Sequence, residues 1–201
     1  MIAVIDYGMG NLRSVSKALE AVGAEVEVTP ETERIARAEG IILPGVGAFH
    51  HGMKNLRELG IIPVIYDAVR KGTPFLGICL GLQLLFTESH EHGIHRGLDI
   101  VKGKVIRFSS FVKTPHMGWN TIKIRDHRTI FEGIPDNSYF YFVHSYYVEP
   151  EDKDVISATT EYGIEFTSAI AKDWIWGLQF HPEKSSELGL KILENFRRYV
   201  G

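Results

Sequence analysis

The sequence predicts an α/β fold: an open, mixed but mainly parallel sheet flanked by helices, with antiparallel strands in the C-terminal half. Three observations predict it. Short β-rich runs alternate with helix-period segments through the first half of the chain, which is the pattern of βαβ units. Those runs are apolar at nearly every position, as strands covered by helices on both faces must be. In the second half the helix-period segments nearly vanish, and strand-like runs are separated by Gly, Pro and Asn, so antiparallel pieces extend the sheet there.

Residues 2–6 read as the first strand. Leu12, Val15, Leu19 and Val22 then recur at helical spacing, and 24–28 form a second strand. A strand at 40–43 leads into a helical stretch over 49–71, interrupted at Gly60 and Pro63. A strand at 75–78 runs into a helix over 80–86. Strands follow at 104–108, 121–124, 139–143, 155–158 and 166–171. The last element is a helix over 186–199, with an apolar stripe of Leu188, Ile192, Leu193, Phe196 and Tyr199. No repeat, linker or low-complexity tract divides the chain, so one domain over residues 1–201 is expected.

Bulk composition removes several classes of function. Hydrophobic residues at 44% and charged ones at 23% are the proportions of an ordinary globular core, which sets aside disorder and fibrous architectures. Lys+Arg 22 against Asp+Glu 25 leaves a net charge of −3, with no basic block to follow a phosphate backbone, so nucleic acid is not an expected partner. No apolar run reaches spanning length and the N-terminus MIAVIDYGMGN lacks a basic leader, so neither membrane nor export is expected. A single cysteine, Cys79, forbids an internal disulfide and fits a reducing compartment; the cytoplasm is the expected location.

That cysteine lies in Gly77-Ile-Cys79-Leu-Gly81, where a strand is expected to give way to a helix. The form is that of a nucleophile elbow with sulfur in place of the usual hydroxyl. A turn that sharp strains its central residue and crowds its neighbours, which explains glycine on both sides. The position is chemically useful. A free thiol has a pKa of about 8.5, and a helix N-terminus or a nearby imidazolium favours the thiolate. The same turn aims the Leu80 amide where an oxyanion would form.

A nucleophile of this kind needs a base, and the base an orienting acceptor. GLQFHPE at 177–183 supplies both: an apolar strand stopping at His181, with Glu183 two residues on. Pro182 keeps the backbone at His181 extended or turned, so imidazole and carboxylate can converge. The order Cys, His, Glu also separates this chain from thiol variants of the α/β-hydrolases, in which the acid falls between nucleophile and His.

With GxCxG followed much later by HPE, the sequence resembles the class I (triad) glutamine amidotransferases. PGVGAF at 44–49, PHMGWN at 115–120, FVHSYY at 142–147 and HPEKSS at 181–186 extend the resemblance over essentially the whole chain, from DYGMGN at 6–11 to the final helix. It implies the fold of that family, Cys79 as nucleophile, His181 as general base and then acid, and Glu183 as the acceptor holding the imidazole. It implies an oxyanion hole from the backbone amides of Val46 and Leu80. It also implies a glutamine pocket at Gly47, Gln83, Glu91, His144, Ser145 and Tyr146. Glu91 would suit the α-ammonium of glutamine.

The resemblance further implies a partner, because ammonia released into water at neutral pH becomes mostly ammonium, which is no nucleophile. Within the family, PHMGWN and FVHSYY point to a glutaminase that forms a heterodimer with a (β/α)₈-barrel cyclase in histidine biosynthesis. Glutaminases serving anthranilate or pyridoxal phosphate synthesis share the elbow and HPE, as would a non-catalytic relative. Docking residues implied around the mouth of the site are Met9, Asn11, Met117, Trp119, Tyr141 and Lys184. From the residues alone, Trp119 fits a core position. No metal or organic cofactor is called for: His50, His51, His90, His92 and His95 lack a closed four-ligand pattern and read as a solvated polar loop.

Overall fold

The structure, a computed structural model, describes residues 1–126 and 130–201. In chain order the elements are β1 (Ile2–Ile5), α1 (Leu12–Ala21), β2 (Val26–Thr29), α2 (Thr32–Arg37), β3 (Gly40–Leu43), α3 (Phe49–Glu58), α4 (Ile61–Lys71) and β4 (Phe75–Ile78). Then come α5 (Leu80–Leu84), β5 (Phe86–Ser89), β6 (His95–Arg96), β7 (Val101–Arg107), β8 (His116–Thr121), β9 (Lys123–Ile124) and β10 (Tyr139–His144). The chain finishes with β11 (Tyr146–Pro150), β12 (Ile156–Glu161), β13 (Glu165–Lys172), β14 (Ile175–Leu178) and α6 (Ser186–Arg197).

The main sheet runs β2-β1-β3-β4-β14-β13-β11-β7-β5-β6, with β12 on β13 and β9 on β12. From β2 to β14 every pairing is parallel. From β14 through β13 and β11 to β7 it is antiparallel, as expected for the C-terminal half. β1, β3, β4 and β14 are buried at every residue, which is why they read as uninterrupted apolar runs. Their side chains alternate between two cores. Ile2, Val4, Ile42 and Leu76 point to the face covered by Val15 and Leu19 of α1 and Ile192 and Phe196 of α6. Ala3, Ile5, Ile41 and Phe75 point to the face covered by Phe49 and Leu56 of α3 and Ile61 and Ile65 of α4.

Several boundaries differ from the sequence reading, each for a physical reason. Gly60 does break the long helical stretch, in the left-handed conformation at φ 68°, but Pro63 sits in the first turn of α4, where a missing N–H costs nothing. The helix after Cys79 stops at Leu84 rather than Phe86, because Phe86 begins a strand that pairs with Val101. β14 ends at Leu178, so His181 lies past the strand rather than at its last residue.

β8 and β10 form a separate two-stranded antiparallel ribbon. Its period-2 alternation turns His116, Phe140, Phe142 and His144 inward, while Met117 and Trp119 lie outward, 62% and 52% exposed. The ribbon is bonded to the segment after β14: His181 N–H donates to the Tyr141 carbonyl at 2.9 Å, and Tyr141 N–H to Ser185 Oγ at 3.0 Å.

Candidate active site

Three neighbouring parallel strands, β3, β4 and β14, end side by side, and the loops at their carboxyl ends carry Pro44–Gly47, Cys79 and His181. The carboxyl edge of a parallel sheet is where an open α/β fold gathers loop residues around a ligand.

Cys79 sits between β4 and α5 with φ 54° and ψ −105°, a conformation that a residue with a Cβ adopts only when its surroundings impose it. The flanking glycines are imposed by contact. A Cβ on Gly77 would lie 2.8 Å from the backbone of Gly81 and Leu82, and one on Gly81 would overlap the Leu43 carbonyl. The strained turn exists because α5 packs directly over the ends of β3 and β4.

His181 Nδ1 and Glu183 Oε1 are 2.8 Å apart, with both side chains almost wholly buried. The other ring nitrogen, Nε2, is buried without a partner of regular hydrogen-bond geometry. The Cys79 sulfur is close enough to act on that ring. Burial by itself would lower the pKa of His181, but Cys79 and the Glu183 carboxylate outweigh it, and the imidazole is held well above its ordinary value. Cys79 Sγ also lies 3.9 Å from the Val143 carbonyl and 3.7 Å from Gln179 Nε2.

The thiol opens onto a cavity of about 410 Å³. Gly47, Gln83, Glu91, His144, Ser145 and Tyr146, the residues expected around glutamine, all line it together with Val46 and Leu80. Glu91 is already engaged: its Oε2 accepts the Phe49 N–H at 2.6 Å, capping the N-terminus of α3. Arg107, at the end of β7, lines the same cavity and was not anticipated. Its segment carries no motif, and only the fold brings it opposite Cys79.

One expectation is modified by the backbone. The Leu80 N–H is not free to meet an oxyanion, because it donates to the Gly45 carbonyl at 3.2 Å. The Gly45–Val46 peptide is trans, so its own N–H points opposite to that carbonyl, away from Leu80. The segment is held in place by Tyr7, whose hydroxyl donates to the Pro44 carbonyl at 2.7 Å and would overlap a Cβ on Gly45.

Of the expected docking residues, Met117 and Trp119 lie outward on the ribbon, so the core position that Trp119 fitted by sequence alone is not the one it takes. Its ring meets Tyr141 edge to face at 6.1 Å, and Lys184 Nζ lies 5.7 Å from the Tyr141 ring. Met9 packs under Gly47, where a Cβ would come 2.9 Å from Met9 Cε. Asn11 caps α1, its Oδ1 accepting the Ser14 N–H at 3.4 Å. Among the described residues no group of three or more His, Cys, Asp or Glu is arranged to hold a metal ion. His50 and His51 lie in the first turn of α3 and His95 in β6 rather than in a loop, with the His50 ring stacked on that of His95 at 5.2 Å and tilted against that of His51 at 3.9 Å.

A family model described as class-I glutamine amidotransferase matches residues 3–199. The chain belongs to that family. Its relatives include the imidazole glycerol phosphate synthase subunit HisH of Aquifex aeolicus, 56% identical over 97% of this chain and 95% of that protein. The subunit of the same name from Archaeoglobus fulgidus is 51% identical over 100% of this chain and 99% of that protein. Among solved structures, a glutamine amidotransferase superposes with TM-score 0.79 at 19% identity, each chain fully covered. PurLQS from Thermotoga maritima does so with TM-score 0.79 at 20% identity, covering 100% of this chain and 98% of that one. At such identities these two likenesses establish the amidotransferase fold alone. As a class I amidotransferase the chain is a glutaminase, and its family fold is the mixed, mainly parallel α/β sheet described above.

Proposed function

We propose that residues 1–201 act as one domain, the glutaminase subunit of an imidazole glycerol phosphate synthase, with Cys79, His181 and Glu183 performing the chemistry. The observation that carries the assignment of residues is a strained cysteine beside a buried His–Glu pair at 2.8 Å, opening on one cavity. The assignment to this synthase rests on 51–56% identity over nearly full length to subunits of that name.

The thiolate of Cys79 attacks the side-chain amide carbon of glutamine, and His181, oriented by Glu183, protonates the departing nitrogen. Ammonia and a glutamyl thioester result. His181 then takes a proton from water, hydroxide adds to the thioester, and glutamate leaves with return of the proton to sulfur. Arg107 and Glu91 offer a cation and an anion to the carboxylate and ammonium of the substrate. The Glu91 oxygen not bonded to Phe49 is the one left for the ammonium.

During attack the developing oxyanion needs the amides of Val46 and Leu80. Reaching that arrangement requires the Gly45–Val46 peptide to turn over, releasing Leu80 and presenting Val46. Gly45 borders the peptide that must rotate, and Gly47, at φ 109°, follows Val46 on its other side. A (β/α)₈-barrel cyclase subunit, docked over the outward face of the ribbon and Lys184, is the partner that receives ammonia and favours the rotated state. The pair works in the cytoplasm; no described helix is long and apolar enough to cross a membrane.

The test is isotopic. With the cyclase subunit and its phosphorylated substrate present, glutamine labelled at the amide nitrogen should place that label in the imidazole product even when unlabelled ammonium is in excess. Label that equilibrates with the bulk ammonium would contradict channelling, and no glutamate formation would contradict the assignment itself.

A further inference from the structure

Gln179 lies between β14 and His181 and is completely buried. Its backbone N–H is spent on the Ser168 carbonyl at 2.9 Å, so the side chain alone faces the site. The orientation of its carboxamide is fixed by a chain of hydrogen bonds that starts at a group able only to accept. The Tyr146 carbonyl takes one bond from His144 Nδ1 at 2.8 Å and one from Gln83 Nε2 at 3.1 Å. Gln83 must therefore present its NH₂ group there, and the same NH₂ donates to Gln179 Oε1 at 3.1 Å. With its oxygen committed to Gln83, Gln179 can present only its own NH₂ to Cys79, and Nε2 lies 3.7 Å from the sulfur.

The neighbours of the sulfur give that donor its significance. As a thiol, Cys79 has the Val143 carbonyl as an acceptor at 3.9 Å. As a thiolate it would face that same carbonyl oxygen with nothing to donate, which disfavours the anion. A donor aimed at the sulfur offsets this, since hydrogen bonds to a charged group are stronger than those to a neutral one. Among the described residues Gln179 is the side-chain amide that donates to it.

We propose that Gln179 is a further residue of the catalytic machinery, a donor to the Cys79 thiolate whose aim is set by Gln83 in the substrate pocket. This rests on the reading of Cys79 as nucleophile. It adds a consequence: glutamine bound against Gln83 acts on the thiolate through Gln179 as well as through direct contact.

Alkylation by iodoacetamide tests this without glutamine or partner, so its outcome is separable from that of the glutaminase assignment. Cys79 is the only thiol, so the rate reports on that residue alone. Gln179→Met keeps the volume and removes the donor. The pH midpoint for alkylation should move alkaline by about one unit, making the reaction roughly tenfold slower on the acid limb of the profile. A folded Gln179→Met chain with the native midpoint would overturn the proposal, because a residue that merely fills space would leave the thiol titration unmoved. If that variant does not fold, the unsubstituted chain still decides. The side-chain amide resonance of Gln179 should shift through the Cys79 titration and lose that step in Cys79→Ala. A resonance that ignores the titration overturns the proposal equally.

Discussion

The Leu80 amide donates to the Gly45 carbonyl across 3.2 Å, and the proposed mechanism requires this bond to break before the site can work. With the Leu80 N–H bonded to the Gly45 carbonyl and the Val46 N–H directed oppositely across the same peptide, the two expected oxyanion donors do not converge. Removal of a single donor of this kind costs about 2.7–4 kcal/mol of barrier. The isolated chain should therefore bind glutamine yet hydrolyse it at least a hundredfold more slowly than the complex with its cyclase and ligand. Steady-state glutamate release with and without the partner measures this; equal kcat values would show that the peptide need not rotate.

Loss of any member of the Cys79, His181, Glu183 set should affect kcat far more than glutamine binding. Cys79→Ala and His181→Asn should abolish measurable turnover in the complex. Glu183→Gln should lower kcat by roughly two to four orders of magnitude, since it frees the imidazole to adopt the wrong tautomer. Isothermal titration with glutamine alongside the rate assay separates the two effects. A Glu183→Gln enzyme with native kcat would remove that residue from the mechanism.

Trp119 stands outward on β8 beside Tyr141, so truncating it should cost the free chain little. Trp119→Ala should leave the unfolding midpoint within experimental error and weaken docking to the cyclase by about 2 kcal/mol or more, as aromatic anchors at interfaces do. Affinity measured by surface binding or calorimetry, paired with a thermal melt, checks both halves. A destabilised free chain with unaltered affinity would return Trp119 to a structural role.

The buried imidazole pair gives the protein an acid-sensitive limb. His116 Nδ1 and His144 Nε2 are 3.0 Å apart, and burial lowers their pKa values to about 4 and about 3. Each titrates near 6.5 when unfolded, so between about pH 6.5 and 4 the unfolded chain binds more protons and stability falls as pH falls. His181 runs the other way: with its pKa raised, its contribution is complete below about 6.5 and fades as pH climbs toward the raised value. Urea unfolding from pH 8 to 4 should show stability decreasing steadily below 6.5, and His144→Gln should flatten that limb. An unchanged slope in the variant would contradict the assignment.

Gly81→Ala should fail structurally rather than chemically. Its Cβ would overlap the Leu43 carbonyl, which is backbone and cannot move aside without displacing β3. A loss of about 3 kcal/mol or more, or an insoluble chain, is expected. Near-native stability would mean that α5 can lift away from the strand.

Sequence patterns revealed the parallel half of the fold because β1, β3 and β4 are buried on both faces and keep uniformly apolar sequences. They did not reveal α2, which buries only Ile35 and is too short to show a period. Cys79, His181 and Glu183 stood out because strained turns and HPE impose rare combinations of residues. Arg107 and Gln179 did not. Arg107 reaches the cavity only through the β11–β7 pairing, and Gln179, within GLQFHPE, reads as a strand residue until its two side-chain amide contacts, with Gln83 and Cys79, are seen. The state of the Gly45–Val46 peptide is also invisible in sequence, since the same glycines permit both orientations.

The central claim is that Cys79, beside His181, is the atom that attacks glutamine. Incubating the complex with an electrophilic glutamine analogue and mapping the adduct by mass spectrometry tests it most directly. The predicted result is one adduct per chain, on Cys79, suppressed by excess glutamine and slowed at least a hundredfold in His181→Asn. Labelling at another residue, or a rate indifferent to both glutamine and His181, would contradict the account.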